Sequence, residues 1–515
     1  MDLQKLIEKL DRKQTTTILS SAILTVAATW FILKRRNKKR ESTGIKEIPT
    51  PEGEYFYFGH LPLLISNPSA QITEWHRKLG PIFRIKMGVQ NWMFISHPVL
   101  AHDIFVTRGT STSGRPYVTF GNGVHGEGNR GVIFADYGKS WKNTRTAVLN
   151  ILSPKSVDTL QPILERETAL GVKLMMQQEE ISPLSYTRLM GLNVAIATIF
   201  GLHGAQSTTD PIYREVIGNM ENTFEFVGAT RDIQSFLPAF AFVDFLLKSK
   251  KKMVNFVNNQ SRPLYRRLIK MARENKQPCL INKLDEIKES LGIDEQNILV
   301  LTKDELVVAS VDTTSLAMAW TMALLCRYPE HQKKVIENLD MFVQSQNRLP
   351  LFEDRHQLPY LVAFIKESLR YRSSAHIGLP HKVTEDIVYG DYVIPKDTIL
   401  FNNGHSSNHD PDFFTDPHLF QPERYLNDTR SIYASSNSAI QQRELFSFGW
   451  GRRICPGIYL AENELFNLLV RLLSQCTVEP ILVDGKKVYP DLDTFVDGGG
   501  TVSPTDYKIR LVPKV

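Results

Sequence analysis

One cysteine near the carboxyl end of the chain, Cys455, constrains the fold more than any other residue. It follows a loop rich in glycine, FSFGWGRRICPG over residues 446–457, and precedes a helical pattern that continues from Ile458. Pro456 suits the first position of a helix, where its missing N–H would have no partner in any case. We therefore expect Cys455 at a helix N-terminus, where free N–H groups and the helix dipole favour a thiolate. Arg453 adds positive charge, and the glycines let a flat group approach the backbone, so the pattern indicates a thiolate presented to a metal.

The other cysteines stand in ordinary helical or loop contexts, and we expect them to be small buried apolar residues: Cys279, Cys326 and Cys476. Four cysteines without regular spacing argue against a disulfide framework and fit a reducing compartment. The net charge of +6 is mild and partly local, so it gives no reason to expect nucleic acid as a partner.

The loop before Ile458 reads F-x-x-G-x-R-x-C-x-G, with Phe448, Gly451, Arg453, Cys455 and Gly457 at the named positions. This pattern resembles the haem-binding loop of the cytochrome P450 family and is complete at its defining positions. The resemblance implies haem b as cofactor, with Cys455 as the axial ligand of the iron. It also implies that Phe448 shields the sulfur and that Arg453 pairs with a haem propionate.

A second stretch, Asp304–Trp320, reads as one long and largely apolar helix that carries a polar cluster at Asp312, Thr313 and Thr314. One interpretation is that the threonine hydroxyls bond back to carbonyls one turn earlier. The stretch also resembles the oxygen-binding segment of the same family, A/G-G-x-D/E-T, which implies that Asp312 and Thr313 deliver protons during cleavage of dioxygen. Ser310 departs from the usual glycine, and this puts the efficiency of coupling in doubt.

A third motif places Glu367 and Arg370 on one helix face, a spacing that is also common on solvated helices. Together with Arg424 they resemble the E-x-x-R helix of the family and its arginine-bearing partner loop. The resemblance implies a buried ion-pair network with a structural role in the haem-binding core. In the same way Trp141 and Arg145 resemble the W-x-x-x-R helix that reaches the propionates, and His381 aligns with a further propionate contact.

Two other patterns are weaker. His405 and His409 have the i, i+4 spacing of a zinc pair, but their surroundings are not expected to be helical, and we therefore predict no zinc there. The run 498–500, three glycines, lacks the lysine and hydroxyl residue of a phosphate loop and is expected to form a turn near the substrate pocket.

The amino-terminal region predicts a membrane anchor. Residues 15–33 carry no charge, and about 19 residues at 1.5 Å each give roughly 28 Å, enough to span a bilayer core. A dense basic run follows directly, which predicts residues 1–14 in the lumen and a cytosolic catalytic part at the endoplasmic reticulum membrane. A peripheral segment or a signal peptide is the alternative, although no small-residue cleavage site follows. On this topology the glycosylation-type triplets at Asn259 and Asn427 stay unmodified.

For the remainder we expect a basic, proline-containing linker over residues 34–59 and one catalytic domain over residues 60–515. An early β-rich stretch (82–87 and 91–96) precedes helical patterns from about 140 to 375, and short strands and loops lead to the Cys455 helix. These patterns predict a fold that is mainly α with small β-sheets, and the resemblance implies a cytochrome P450-like haem-thiolate fold, preceded by the expected transmembrane helix.

The implied activity is insertion of one atom of O2 into an apolar organic substrate. The segments that match the variable pocket of the family are rich in Phe, Val, Ala and Gly: 114–126, 224–245, 373–379 and 498–502. The chain resembles fungal microsomal members most, and steroid or terpenoid hydroxylation is our expectation.

The chain carries no flavin or iron–sulfur signature, so we expect electrons from an NADPH-dependent flavoprotein reductase at the membrane, with cytochrome b5 as an additional partner. Arg443, Arg452 and Lys142 are candidates for docking an acidic partner. The alternatives are a thiolate-haem isomerase or dehydratase that works without O2, and a non-catalytic haem- or lipid-binding membrane protein.

Overall fold

Helices form most of the protein, as the sequence predicts. The computed structural model describes residues 46–227 and 232–514. The predicted lumenal residues 1–14, the membrane anchor 15–33 and the first part of the linker lie outside the described residues. From about Ile48, which is buried, the chain is packed against the rest of the protein, and the N–H of Arg84 donates to the carbonyl of Pro49 (2.9 Å).

The helices, in chain order, are α1 (Pro68–Leu79), α2 (Pro98–His102), α3 (Gly109–Thr112), α4 (Lys139–Ile151), α5 (Pro154–Asp158), α6 (Gln161–Met176), α7 (Pro183–Phe200), α8 (Pro211–Val227), α9 (Ile233–Phe236), α10 (Ala241–Leu247), α11 (Ser249–Phe256), α12 (Arg262–Asn275), α13 (Leu280–Leu291), α14 (Glu295–Val300), α15 (Ala309–Arg327), α16 (Pro329–Gln346), α17 (Pro359–Tyr371), α18 (Gly404–Asn408), α19 (Ile432–Ser436) and α20 (Ile458–Leu473). The strands are β1 (Ile82–Met87), β2 (Gln90–Ile95), β3 (His381–Lys382), β4 (Ile387–Tyr389), β5 (Tyr392–Ile394), β6 (Ile399–Asn402), β7 (Cys476–Val483), β8 (Lys486–Val488), β9 (Phe495–Asp497), β10 (Val502–Pro504) and β11 (Ile509–Pro513).

Helix α15 is the centre of the fold and packs against α7, α17 and α20. The run Glu295–Arg327 is long and apolar enough to cross a membrane, yet most of it is buried inside the protein. A helix that is apolar on all sides belongs in a core, so this run is a core helix. Between α14 and α15, the segment Leu301–Val308 of this run is π-helical. The predicted helix over 304–320 is therefore continuous, but its backbone widens just before Ala309.

The small sheets lie beside this helical core. The largest has the strand order β1-β2-β6-β3, in which β2 and β6 are parallel and the other pairs are antiparallel. Its face is aromatic, since the ring of Phe94 stacks on Phe83 (5.3 Å between centroids) and on Phe401 (5.0 Å). Strands β9 and β10 form a hairpin closed by the glycine run 498–500, so the predicted turn is confirmed.

One local prediction is wrong. Helix α18 contains His405 and ends at Asn408, directly before His409, although the sequence surroundings suggested no helix there. The reason is a cap: the side chain of Asn403 accepts a hydrogen bond from the N–H of Ser406 (3.0 Å) and starts the helix. The asparagines that look like turn residues in the sequence thus act as a helix start.

Candidate functional site

The loop before α20 is held in a tight, glycine-dependent shape. The N–H of Cys455 donates to the carbonyl of Phe448 (2.9 Å), which closes the loop. Gly451 has φ +56°, and a Cβ atom there would lie 2.4 Å from the carbonyl oxygen of Phe105, so only glycine fits. Helix α20 begins at Ile458, and the prediction that Pro456 takes the first helical position is wrong by two residues, because the chain makes one more turn first.

Cys455 as a residue is partly accessible, unlike the other three cysteines, which are buried. Burial raises its pKa, while the N–H of Gly457 and the charge of Arg145 act in the opposite direction. The position before the helix therefore does not by itself lower the pKa of this thiol below its ordinary value. A bound metal would do so, since a coordinating thiol is deprotonated outright.

Three buried arginines near the loop have no carboxylate at ion-pairing distance among the described residues, although the charge of Asp136 raises the pKa of Arg115 and of Arg453. Arg453 donates to the carbonyls of Ser113 and Ala135, and Arg145 donates to the carbonyl of Ile454. Arg115 also donates only to carbonyl groups from its side chain. Within the described residues none of the three forms an ion pair with a carboxylate. Burial lowers the pKa of all three guanidinium groups, that of Arg453 to about 10.

Buried cations are costly unless an anion compensates them. Arg115 and Arg453 also repel each other, and each lowers the pKa of His381. A ligand with two carboxylates beside a cysteine thiol would satisfy this cluster. Haem, with its two propionates and an iron that binds thiolate, fits the residues present.

His381 and Trp141 complete the surroundings of the cluster. A ring nitrogen of His381, Nδ1, donates to the carbonyl of Thr112 (2.8 Å), and burial holds its pKa well below the usual range, so the ring is neutral. The single N–H of Trp141 donates to the carbonyl of Val132 (3.1 Å), and its ring lies 4.3 Å from the guanidinium of Arg453. In this structure Trp141 is thus a packing platform for Arg453, and its contact with a propionate stays a prediction.

One side of the central helix keeps accessible surface. Between residues 301 and 326 all side chains are buried except those of Ala309, Ser310 and Thr313, whose spacing puts them on one side. The hydroxyl of Thr313 donates to the carbonyl of Ala309 (2.6 Å), which is the back-bonded arrangement weighed in the sequence analysis. The hydroxyl of Ser310 bonds back to Leu306, so it stays within its own helix.

Asp312 faces a different direction. Its carboxylate accepts a hydrogen bond from the hydroxyl of Thr501 (3.0 Å) and lies 3.5 Å from the guanidinium of Arg188. Burial raises the pKa of Asp312, and Arg188 opposes this effect. The glycine turn that carries Thr501 therefore lies beside the predicted proton-delivery pair.

The E-x-x-R residues form a closely bonded group. Arg370 makes two hydrogen bonds of 2.7 Å to the carboxylate of Glu367, and Arg424 lies 3.2 Å from the same carboxylate. The side chains of Glu367 and Arg370 are fully buried. Arg370 also donates to the carbonyl of Asn408, and the side chain of Asn408 holds the N–H of Phe446, so the group is connected to the start of the cysteine loop.

Sequence reasoning missed two residues and misread a third. Arg115 lies in a segment, 114–126, that is expected to border the pocket and carries no other Asp, Glu, Lys or Arg, and Arg188 lies in the largely apolar helix α7; a lone charge in each place was the available signal. Arg443, a predicted docking residue, is buried and donates to the carbonyl of Gly449 (2.6 Å). Its ring contact with Trp450 (4.1 Å) shows that it packs under the loop, so it is not available for docking.

Comparison with known proteins agrees with this geometry. The family model for cytochrome P450 matches residues 49–498. Similar proteins include cytochrome P450 monooxygenase 69 of Postia placenta, 27% identical over 505 residues and covering 88% of each chain. Cytochrome P450 monooxygenase COX2 of Coprinopsis cinerea is 28% identical over 516 residues, which are 97% of this chain and 94% of that one.

Solved structures share the fold. A zebrafish cytochrome P450 in complex with progesterone has a TM-score of 0.72 and 24% identity, and the match covers 87% of this chain and 99% of that chain. A structure of a zebrafish cytochrome P450 with abiraterone has a TM-score of 0.70, again with 24% identity. The mainly helical fold with small sheets is thereby confirmed.

Proposed function

Because the chain belongs to the cytochrome P450 family, we propose that this haem-thiolate monooxygenase inserts one atom of O2 into an apolar organic substrate and takes its electrons from NADPH through a separate flavoprotein reductase. The observation that carries the proposal is the cluster of buried, unpaired arginines beside Cys455. No other feature of the described residues calls for a dianionic cofactor next to a thiol.

Cys455 would hold the haem iron, and Arg115, Arg145, Arg453 and His381 would hold the propionates. The bound haem supplies the activation of O2. Phe448, partly buried against the core, shields the sulfur, and Gly451 and Gly457 keep the loop close to the ring. The group formed by Glu367, Arg370 and Arg424 stabilises this arrangement from the far side of the loop.

Proton delivery is assigned to Thr313 and Asp312. Thr313 is partly accessible on a helix face that is otherwise buried, and its hydroxyl oxygen keeps lone pairs free to accept from a water molecule. Asp312 lies one position earlier and connects through Arg188 to Glu221, which is exposed. This pair supports a route for protons from solvent, while the apolar helix around it excludes bulk water.

The substrate class is apolar, and a steroid or terpenoid is the specific proposal. The segments 114–126, 373–379 and 498–502, which we assign to the pocket, are poor in charge, and their charged member Arg115 is assigned to the propionates and not to the substrate. The progesterone found in one fold neighbour belongs to that protein, and it serves here as a probe. A change of the haem Soret band on addition of progesterone would support a steroid-sized apolar pocket.

We assign the basic surface near the cysteine loop to reductase docking. Arg452 and Lys142 are exposed, and both lie over the ring of Tyr137, at 5.5 and 5.2 Å from its centroid. Charge reversal at either position should slow reduction by the reductase at low salt, whereas Arg77→Glu on the remote helix α1 should not. Equal reduction rates in all three variants would argue against this docking surface.

Membrane association is supported by a second surface. The ring of Tyr57 lies 6.0 Å from that of Phe240, and its hydroxyl accepts the N–H of Ala239 (3.0 Å), so the segment around Tyr57 packs against the turn that leads into α10. In α10, Phe245 is 81% exposed. Four exposed lysines follow: Lys248, Lys250, Lys251 and Lys252. Aromatic residues beside lysines suit the interface of an anionic membrane.

This membrane contact has a direct test in the full chain. A tryptophan in place of Phe245 should be quenched by brominated lipids, whereas one in place of Met341, which is 62% exposed on helix α16, should not. Equal quenching at both positions would contradict the proposed contact between α10 and the membrane.

The reaction class is tested by the absorption spectrum of the reduced protein with carbon monoxide. We expect a Soret band far to the red, lost in Cys455→Ala, and product that requires both NADPH and a reductase. Product formed without NADPH would favour an isomerase or dehydratase instead. A folded protein that binds no haem would overturn the proposal.

A further inference from the structure

A buried glutamate of the central helical run contacts the chain segment beside the arginine cluster. Glu305 lies in the π-helical segment Leu301–Val308. One oxygen of its carboxyl group, Oε1, accepts hydrogen bonds from the N–H of Val132 (2.5 Å) and from the N–H of Ile133 (3.0 Å). Burying an ionisable side chain is costly, and the bonds to two consecutive N–H groups compensate part of that cost. The proton route proposed above does not use this residue.

One peptide group connects Glu305 with the cysteine loop. The peptide group between Val132 and Ile133 gives its N–H to Glu305. Its carbonyl, that of Val132, accepts from Nη1 of Arg453 (2.9 Å) and from the ring N–H of Trp141 (3.1 Å). A peptide group is planar, and in the trans form its N–H and C=O point in opposite directions. The bond to Glu305 therefore aims this carbonyl at Arg453.

The neighbouring contacts hold the same segment, residues 131–133. The carbonyl of Ile133 accepts from Nε of Arg115 (2.9 Å), and the carbonyl of Gly131 accepts from the hydroxyl of Thr144 (3.1 Å). Gly131 has φ +87°, and a Cβ atom there would lie 2.7 Å from Oε1 of Glu305. Only glycine at this position lets the carboxyl group come so close to the backbone.

The two charged residues before Glu305 hold the chain at a different point. Nζ of Lys303 donates to the carbonyl of His125, and Nε2 of His125 donates to a carboxylate oxygen of Asp304. Neither Lys303 nor Asp304 makes a hydrogen bond with residues 131–133 among the described contacts. Of these three consecutive charged residues, Glu305 is thus the one connected to the arginine cluster.

This role needs an acceptor oxygen and does not need a negative charge. Burial and the charge of Asp304 raise the pKa of Glu305, and the two N–H groups act in the opposite direction. A protonated carboxyl group still has a carbonyl oxygen that accepts both N–H groups. An amide at this position would keep that acceptor, whereas leucine would leave two buried N–H groups without a partner.

We propose that Glu305 is a positioning residue for the haem: through the peptide groups of residues 131–133 it holds Arg453 and Arg115 where they receive the propionates. The inference rests on the proposed assignment of these two arginines to the propionates. Nη2 of Arg115 makes no hydrogen bond with the described residues, so its N–H groups remain available to a carboxylate. Without Glu305, residues 131–133 would lose the bonds that direct their carbonyls at both guanidinium groups.

The test uses the full-length holoenzyme and measures the rate at which haem is transferred to an excess of apomyoglobin. We expect Glu305→Leu to lose haem more than about tenfold faster than the parent, and Glu305→Gln to stay within about threefold, since the amide keeps the acceptor. Glu462→Leu is the matched control. Glu462 is also buried and accepts a backbone N–H, that of Ile432 (2.8 Å), so this variant loses the same kind of bond and should keep its haem as the parent does.

The midpoint potential of the haem separates positioning from a direct effect of charge. Misplaced arginines compensate the propionates less, and the uncompensated negative charge favours ferric haem, so Glu305→Leu should lower the potential and Glu305→Gln should leave it nearly unchanged. Loss of a negative charge alone would raise the potential in both variants. Equal upward shifts would therefore overturn the proposal, as would equally fast haem loss in Glu305→Leu and Glu462→Leu.

Arginine variants distinguish this inference from the propionate assignment on which it rests. Faster haem loss in Arg453→Gln and Arg115→Gln, with the parental rate in Glu305→Leu, would overturn the role of Glu305 and leave the assignment intact. Parental rates in both arginine variants would overturn the assignment and the inference together. In Glu305→Leu combined with Arg453→Gln, we expect an effect smaller than the product of the two single effects, and the full product would show that Glu305 does not act through the arginine.

A shorter acid provides a second variant. Glu305→Asp lacks one methylene group and cannot reach both N–H groups, so it should lose haem faster than Glu305→Gln. Where Glu305→Leu does not fold, this comparison decides, and an equal or slower loss from Glu305→Asp would overturn the proposal. None of these readouts depends on monooxygenase activity.

Discussion

The guanidinium group of Arg188 lies between two carboxylates, 3.5 Å from that of Asp312 and 3.4 Å from that of Glu221. Asp312 is buried on the central helix, and the side chain of Glu221 is 60% exposed. Arg188 thus connects the buried carboxylate of Asp312, which belongs to the proposed proton route, with the exposed carboxylate of Glu221. It also sets the ionisation of Asp312, because burial raises the pKa of that carboxyl group and Arg188 lowers it.

Replacing Arg188 with glutamine should therefore raise the pKa of Asp312 further. At a given pH fewer molecules then carry the carboxylate that relays protons, so the acid limb of the pH–turnover curve moves to higher pH, by about one unit or more. Glu221→Gln removes a neighbouring negative charge and should move the limb slightly in the opposite direction. Coupled turnover measured between pH 5 and 9 checks both shifts, and identical profiles would remove Asp312 from the relay.

Thr313→Ala should raise the release of hydrogen peroxide relative to product, because the hydroxyl that orients a water molecule is lost. Thr313→Ser keeps a hydroxyl and should retain most of the coupling. Thr321→Ala is the matched control, since Thr321 makes the same type of bond, to the carbonyl of Ala317 (2.8 Å), deeper in the same helix. Peroxide and product are measured together per NADPH consumed, and unchanged coupling in Thr313→Ala would contradict the assignment.

Features encoded by local sequence could be predicted well. The bounds of β1 agree with the predicted strand, and β2 differs from its prediction by one residue at each end, since apolar, β-favouring side chains over a short run determine a strand locally. The cysteine loop could be recognised because its glycines, arginine and cysteine are close in the chain. The start of α20 could not, because Gly457 follows Pro456 and delays the helix.

Features that depend on distant residues could not be predicted. Asp312 meets Thr501 and Arg188, which are 189 and 124 positions away, and no periodicity in the sequence connects them. Arg115 is likewise held by distant carbonyl groups, those of Ile133, Leu379 and Pro380, which any residue type could supply. The helical state of α18 depends on one capping side chain, whose residue type also favours turns.

Arg370→Ala should destabilise the protein strongly, because it leaves the carboxylate of Glu367 buried with Arg424 as its remaining cation. The expected loss is about 3–5 kcal/mol in the free energy of unfolding, together with reduced haem content. The control is Arg77→Ala, which breaks an exposed pair with Glu74 at the same i, i+3 spacing and should have no measurable effect. Urea unfolding checks both variants, and equal losses would contradict a special role for the buried group.

The cytosolic topology expected from the sequence predicts whether two acceptor sites are glycosylated. Asn259 and Asn427 both stand in glycosylation-type triplets and are exposed, so a lumenal domain would present them to the glycosylation machinery. We expect no change of mass on endoglycosidase treatment of the protein from microsomes. An acceptor triplet introduced into residues 1–14 should in contrast be glycosylated. A glycan on Asn259 or Asn427 would show that the catalytic domain is lumenal.

Glu464 should lower the free energy of unfolding as the pH rises. An acid whose pKa is lowered by an ion pair has the opposite effect. Glu464 is buried in α20, and burial alone raises its pKa to about 8 from an ordinary value near 4.5. Between these two values the folded protein binds a proton that the unfolded chain has lost, so the free energy of unfolding falls as pH rises, by about 1.4 kcal/mol per pH unit from this group.

Glu464→Gln removes that slope. The variant should therefore gain stability relative to the parent as the pH increases from 5 to 8, and then keep a constant difference above pH 8. Unfolding in urea at pH 5, 6.5 and 8 measures the effect, with Glu74→Gln on the surface as the control, and a parallel pH dependence of parent and variant would show that Glu464 is ionised in the folded protein.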